Sequence, residues 1–91
     1  SGAIALVNRL MKTEPREAAR YISENRELTD PRLRDIINDV RRRLRDIRRT
    51  RTQILFSGMS NDQKNKAETR LNQQELAALR VLPMIEEALG R

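Results

Sequence analysis

Seven positions separate what this chain can fold into from what it cannot. Leu33, Ile37, Val40, Leu44, Ile47, Arg51 and Ile54 follow one another in steps of 4, 3, 4, 3, 4 and 3. That spacing places them in one stripe along a helix, the a/d seam of coiled-coil packing, with Arg51 its single polar member. A strand would need alternation with a period of two. The seam predicts a helix from Pro31 to about Phe56, started by Asp30 as N-cap with Pro31 in the first turn. "SGMS" at 57–60 then breaks the pattern, and Gly58 is suited to the left-handed conformation that ends many helices.

A second seam follows the break. Ser60 and Gln63 have the spacing of a capping box, which opens a helix from Asn61 to about Leu89. Along it Ala67, Leu71, Ala78, Leu82, Ile85 and Leu89 share a stripe, weakened at Gln74 and Glu75. Pro83 removes a backbone donor, so a kink or break is expected near Leu82. Two long helices joined by about four residues fold back as an antiparallel hairpin or open into separate partners. Folding back brings Ile54 to Ala67, Ile47 to Leu71, Val40 to Ala78 and Leu33 to Ile85. Apolar meets apolar at each of these levels, and only Leu44 faces a polar residue, Gln74. Leu33, Ile37, Val40, Leu44, Ile47, Leu71, Ala78, Leu82 and Ile85 are therefore the structural seam.

The first thirty residues contribute two shorter helices. "AIALVNRLMK" at 3–12 spaces Leu6, Val7, Leu10 and Met11 helically. "EPREAARYISEN" forms a second, with Pro15 in its first turn and Ala18, Tyr21 and Ile22 on its apolar side. "RELTDPR" reads as a connector. The whole is an all-α fold: one helical module over 1–91, with short helices in 1–30 and a hairpin in 31–91. A larger parent chain is left open. The short helices, or another protein, must cover the flanks of the hairpin.

Composition agrees with helices and narrows the chemistry. Leu, Ile, Val and Phe make up 22 of 91 residues, about 24%, above the roughly 20% level below which highly charged chains tend to disorder. The aromatics are Tyr21 and Phe56, so the core must be aliphatic. With no Cys and no His, disulfides, thiol catalysis and the common zinc ligand sets are excluded. "AIALV" is the longest apolar run and cannot span a bilayer or serve as a secretory signal, so a chain in solution is expected. Glu86 with Glu87, and Asp35 with Asp39, are carboxylate pairs in surface-like helical settings without a nucleophile beside them. Ser57, Ser60 and Thr13 suit turns and caps. No glycine-rich phosphate loop occurs. Neither catalysis, a cofactor, a metal nor a small-molecule substrate is expected.

Charge is concentrated in one place. Residues 31–56 hold nine Arg and three Asp, which is the entire formal charge of +6; basic and acidic residues balance elsewhere. On a wheel with Leu33 at zero, the apolar residues span roughly −60° to +40°. Arg34, Arg41, Arg42, Arg45, Arg48 and Arg49 fall at roughly 60° to 180°, and Asp35, Asp39 and Asp46 at roughly 200° to 240°. The helix thus has an oily, a basic and an acidic face. Three readings of the basic face compete: a solvated, ion-paired surface, in which Asp39 has Arg43, and Asp46 has Arg42 and Arg49, at pairing distance along the helix; a surface for an acidic protein, for which the dominance of Arg over Lys argues; and a phosphate-binding surface. No aromatic residue interleaves to stack bases, and the acidic face adjoins the basic one, so nucleic-acid contact would be weak and non-specific. Arg51, inside the apolar stripe, either snorkels outward near the turn or pairs with Glu68 opposite.

The order of features also resembles a helical segment near the C-terminal ends of very large bacteriophage proteins, among them internal virion (ejection) proteins, tape-measure-like proteins and large polyvalent proteins. There an "AARxYIEEN-PEL" helix precedes a basic heptad helix, and "SPEEKR" opens the return helix. Ala18, Ala19, Arg20, Tyr21, Ile22, Glu24, Asn25 and Leu28 match the first part, and Ser60 with Lys64 the return cap. The likeness covers about residues 16–80 and departs at "TDPR" and "GMSND". It implies a non-enzymatic segment that packs against other virion proteins or copies of itself while DNA leaves the capsid, located in the virion or in the cytoplasm of the bacterial host. The alternative is a small basic helical module that binds nucleic acid.

Overall fold

The computed structural model describes residues 2–90, and every element among them is helical. Helix α1 spans Gly2–Lys12, α2 Pro15–Glu24 and α3 Arg26–Thr29. A 3-10 turn at Asp30–Arg32 leads into α4, Leu33–Leu55, and α5 returns antiparallel over Asn61–Leu89. The molecule measures 47 × 21 × 21 Å. Its long axis is the α4–α5 hairpin, because a helix of 29 residues is about 43 Å long.

The chain enters the hairpin differently from the expectation. "RELTDPR" is not an open connector: it coils through α3 and the 3-10 turn, and α4 begins at Leu33 rather than Pro31. Asp30 does not cap it. The Asp30 carboxylate instead accepts a bond from Arg26 Nε at 3.2 Å. Thr29 anchors this corner: it is fully buried, and its hydroxyl lies 3.1 Å from the Asn25 carbonyl and 3.5 Å from that of Ile22. A polar group sealed this way must find an acceptor locally, which fixes the angle between α2 and α3.

The turn at the far end confirms one signal and corrects another. Ser60 Oγ accepts from the Gln63 amide at 3.2 Å, while Gln63 Oε1 accepts from the Ser60 amide at 3.1 Å, a complete capping box. Gly58, however, is not left-handed, and no described glycine has a positive φ. The last carbonyls of α4 are satisfied by other means. The Phe56 amide donates to Thr52 at 3.3 Å, and Ser57 donates to Ile54 through its amide at 3.1 Å and its hydroxyl at 2.7 Å. A serine that folds back onto its own helix leaves the left-handed glycine with nothing to do. Pro83 likewise does not interrupt α5, which is continuous across it. Pro83 is exposed, so the carbonyl it deprives of a donor can be hydrated.

The core follows the seam. Leu33, Ile37, Val40, Leu44, Ile47, Leu71, Ala78 and Ile85 are buried, and Leu82 is partly buried. Helix α1 packs on both α4 and α5, and α2 packs on α5. Leu6, Val7, Leu10, Ala18 and Ile22 join the hairpin residues in one cluster, with Ile36 and Val81 buried at its flank. The two short helices therefore cover one side of the hairpin and only part of its length. Ile54 and Ala67, the pair nearest the turn, remain only partly buried.

Candidate interaction surface

The six arginines assigned to the basic face are all exposed. Two of them already have partners. Arg41 Nη2 lies 3.2 Å from Glu86 Oε1 on α5, and Arg42 pairs with Asp39. Arg34, Arg45, Arg48 and Arg49 make no ion pair with any described residue. The face is thus more than an intrahelical charge lattice: it holds guanidinium groups that α4 leaves unmatched.

The acidic face needs correction. Spacing groups Asp39 with Asp35 and Asp46 on an acidic face, with Arg43 as partner of Asp39 and Arg42 and Arg49 as partners of Asp46. The Asp39–Arg43 pair forms, but Arg42 goes to Asp39 instead of Asp46. Asp39 is only 6% exposed, while Asp35 and Asp46 face solvent. Asp39 accepts from Arg43 Nε at 2.8 Å and also from Arg42. Arg43, absent from the basic face on the wheel, is half-buried, and its Nη1 lies 3.7 Å from the sulfur of Met11. Where α1 docks, α4 therefore buries an ion pair beside its apolar stripe. Ile36 and Val40, both fully buried, are neighbours of the pair on the same helix.

Arg51 settles in a way that neither expectation describes. It does not pair with Glu68. Its Nη1 and Nη2 each lie 3.3 Å from a carboxylate oxygen of Glu75, and Nη2 donates to Asn72 Oδ1 at 3.0 Å. Helical side chains lean towards the N-terminus of their own helix. In this hairpin α4 side chains therefore lean away from the turn and α5 side chains lean towards it. An α4 residue meets an α5 residue further from the turn than backbone register suggests. The same rule places Glu86 on Arg41.

These two bridges mark the side of the hairpin opposite α1. Helix α1 borders a groove with Arg43, Gln74 and Ala77. Arg41 and Arg43 project about 160° apart on α4, as Ala77 and Glu86 project about 180° apart on α5. The open side carries a run of uncovered apolar residues on α5: Leu76 is 52% exposed and Leu79 48%, followed by exposed Pro83 and Leu89. Between the helices on this side lies a groove lined by Arg34, Ile37, Arg41, Glu86 and Leu89. A second exposed apolar group sits at the hairpin tip: Leu55, Met59 and Phe56, the last 81% exposed.

Every buried side-chain nitrogen and oxygen among the described residues has a hydrogen-bond partner. No group of three or more metal-ligating side chains occurs among them, and no helix is long and apolar enough to cross a membrane. The chain matches no family model, no curated protein and no solved structure.

Proposed function

We propose that this chain is a non-enzymatic interaction module that binds other proteins through the uncovered side of its hairpin, as part of the assembly of a phage particle or a related element. The observation that carries the reading is the juxtaposition on that side. Half-exposed Leu76 and Leu79 run along α5, and Arg34 and Arg48, exposed and without an ion-pair partner among the described residues, share that side of the hairpin by their angle on α4. Isolated surface leucines are ordinary, but a contiguous apolar run rimmed by charge is the usual make-up of a protein-binding surface. The phage setting rests on the likeness at residues 16–80 alone. A photo-crosslinking amino acid placed at Leu79, at Phe56 and, as control, at Arg20 tests the reading in phage-infected host cells. Polypeptide adducts at Leu79 or Phe56, absent at Arg20, support it; adducts to nucleic acid instead would overturn it.

Unpaired Arg34, Arg45, Arg48 and Arg49 favour a second reading, in which this face binds phosphates. The apolar run beside them has no role there, which ranks it second.

A further inference from the structure

We propose that the groove between α4 and α5 on the side opposite α1 receives an acidic amphipathic helix from a different protein. The inference rests on the interaction reading above and names the place and the chemistry of the partner.

The fold itself shows what such a groove accepts. On the other side α1, an amphipathic helix, lies against both α4 and α5 and buries Leu6, Val7 and Leu10 there. A hairpin of this kind has two such grooves, and a helix in the second completes a bundle. The open groove has the matching parts. Ile37 and Leu89 line it, and Leu76 and Leu79 stand exposed on the same side of α5, nearer the turn. These suit the i, i+3, i+4, i+7 stripe of a docked helix.

The other wall decides the charge. Arg34, Arg41 and Arg48 recur every seven residues and lie within about 40° of one another on α4. Arg34 and Arg41 line the groove, whereas Arg45 lines a pocket with Ala3 and Ile4 of α1. The seven-residue spacing is itself helical, so carboxylates at i, i+7 and i+14 of an antiparallel helix can meet Arg48, Arg41 and Arg34 in order. Arg34 and Arg48 have no ion-pair partner among the described residues, and Arg41 is held by Glu86. Guanidinium groups at a protein interface pair with carboxylates with high geometric selectivity.

A second copy of the chain does not supply such a helix. Helix α1 has no acidic residue, α2 has two of each sign, α4 is strongly basic, and α5 has five acidic against four basic residues. Nucleic acid leaves Leu76 and Leu79 without a contact. It also finds no aromatic ring on this face: Tyr21 lies on α2 beneath Arg9, 4.3 Å from ring centre to guanidinium, and Phe56 is at the tip.

The experiment uses the whole 91-residue chain and a synthetic peptide of three heptads, with Leu at the two seam positions, Glu beside them and Ala elsewhere. A scrambled peptide of the same composition keeps the charge and loses the stripe. Backbone amide shifts locate binding, and calorimetry measures it at physiological salt. The proposal expects the ordered peptide to bind at least tenfold more tightly than the scrambled one, with shifts concentrated in residues 34–48 and 76–89. Leu76→Ser with Leu79→Ser, and Arg34→Glu with Arg48→Glu, should each weaken binding at least tenfold. Arg16→Glu with Arg20→Glu removes the same charge from α2 and should change it less than threefold. All these positions are exposed, so circular dichroism should show unchanged helicity. Equal binding of the scrambled peptide, an equal loss in the α2 control, shifts at the tip, or no binding would each overturn the proposal, as would displacement of the peptide by equimolar duplex DNA. Protein crosslinks at Phe56 without any at Leu79 would remove the groove while leaving the interaction reading intact, whereas nucleic-acid crosslinks would remove both.

Discussion

Asp39 and Arg43, one turn apart on α4, share a 2.8 Å bond in the shelter of α1, with the carboxylate almost sealed from water. Taking a carboxylate out of water is costly, and the cost is offset only while its partners stay in place. Asp39→Ala should therefore lower stability by about 1–3 kcal/mol, below the range for a fully buried pair because both arginines keep partial contact with solvent. Replacing the pair together, Asp39→Leu with Arg43→Met, should recover most of that loss, since neither charge is then stranded. Urea unfolding of the three proteins is the check. A double variant no more stable than Asp39→Ala would show that the pair itself, not the avoidance of a stranded charge, stabilises the corner.

Arg51 gives a test of how the two long helices register. Its carboxylate partner is Glu75, and both side chains are about one-third exposed or less. A double-mutant cycle on Arg51 and Glu75 should give a coupling of roughly 0.5–1 kcal/mol, modest because water still reaches the pair. The same cycle on Arg51 and Glu68 should give none. Coupling to Glu68 instead would mean that α5 sits about two turns displaced from this register.

The turn responds with opposite sign at two neighbouring residues. Gly58 has no positive φ, and a Cβ there would meet nothing within 4 Å. Gly58→Ala should then be neutral or stabilise by up to about 1 kcal/mol, through lost freedom in the unfolded chain. Ser60→Ala removes the acceptor for the Gln63 amide and should destabilise by about 1 kcal/mol. Thermal melts of both variants decide it. A marked loss for Gly58→Ala would show that the chain uses the left-handed turn after all.

The seam is where the fold was most legible. Heptad spacing is a property of one helix at a time, and it marks Val40, Ala78 and Ile85 as fully buried without knowledge of what covers them. Leu44→Ala or Ile47→Ala should cost about 2–4 kcal/mol, against less than about 0.5 for exposed Arg49→Ala, measured by urea unfolding. What spacing does not reveal is the third body. Ile36, Asp39 and Arg43 change character because α1 lies on them, and no periodicity within α4 carries that. Glu75 as partner of Arg51 was missed for a related reason: backbone register pairs residues by height, while side chains reach along the helix before they meet. The same limit applies to the open groove. The wheel shows the arginines sharing a face, but that Leu76 and Leu79 stand exposed beside them emerges only once α1 and α2 are seen to occupy the other side.

The fold divides the seven arginines of "RRRLRDIRRTR" into separate duties. Arg43 is committed to Asp39, Arg51 to Glu75, Arg41 to Glu86 and Arg42 to Asp39. Arg45, Arg48 and Arg49, with Arg34 a few turns away, are what α4 has left to offer a polyanion. About four guanidinium groups, joined by Arg41 or Arg42 if their bridges open, can contact roughly four to six phosphates, which sets a log–log salt slope near −4 to −5 for duplex DNA. Binding by the isolated chain should be weak, indifferent to sequence, and lost towards physiological salt. An acidic helix in the groove should behave otherwise. Leu76 and Leu79 would hold it as salt rises, and salt would act mainly on the rate of association. Titrations against mixed duplexes and single strands at low and physiological ionic strength separate the two. Tight, sequence-dependent binding that survives physiological salt would assign this face to nucleic acid.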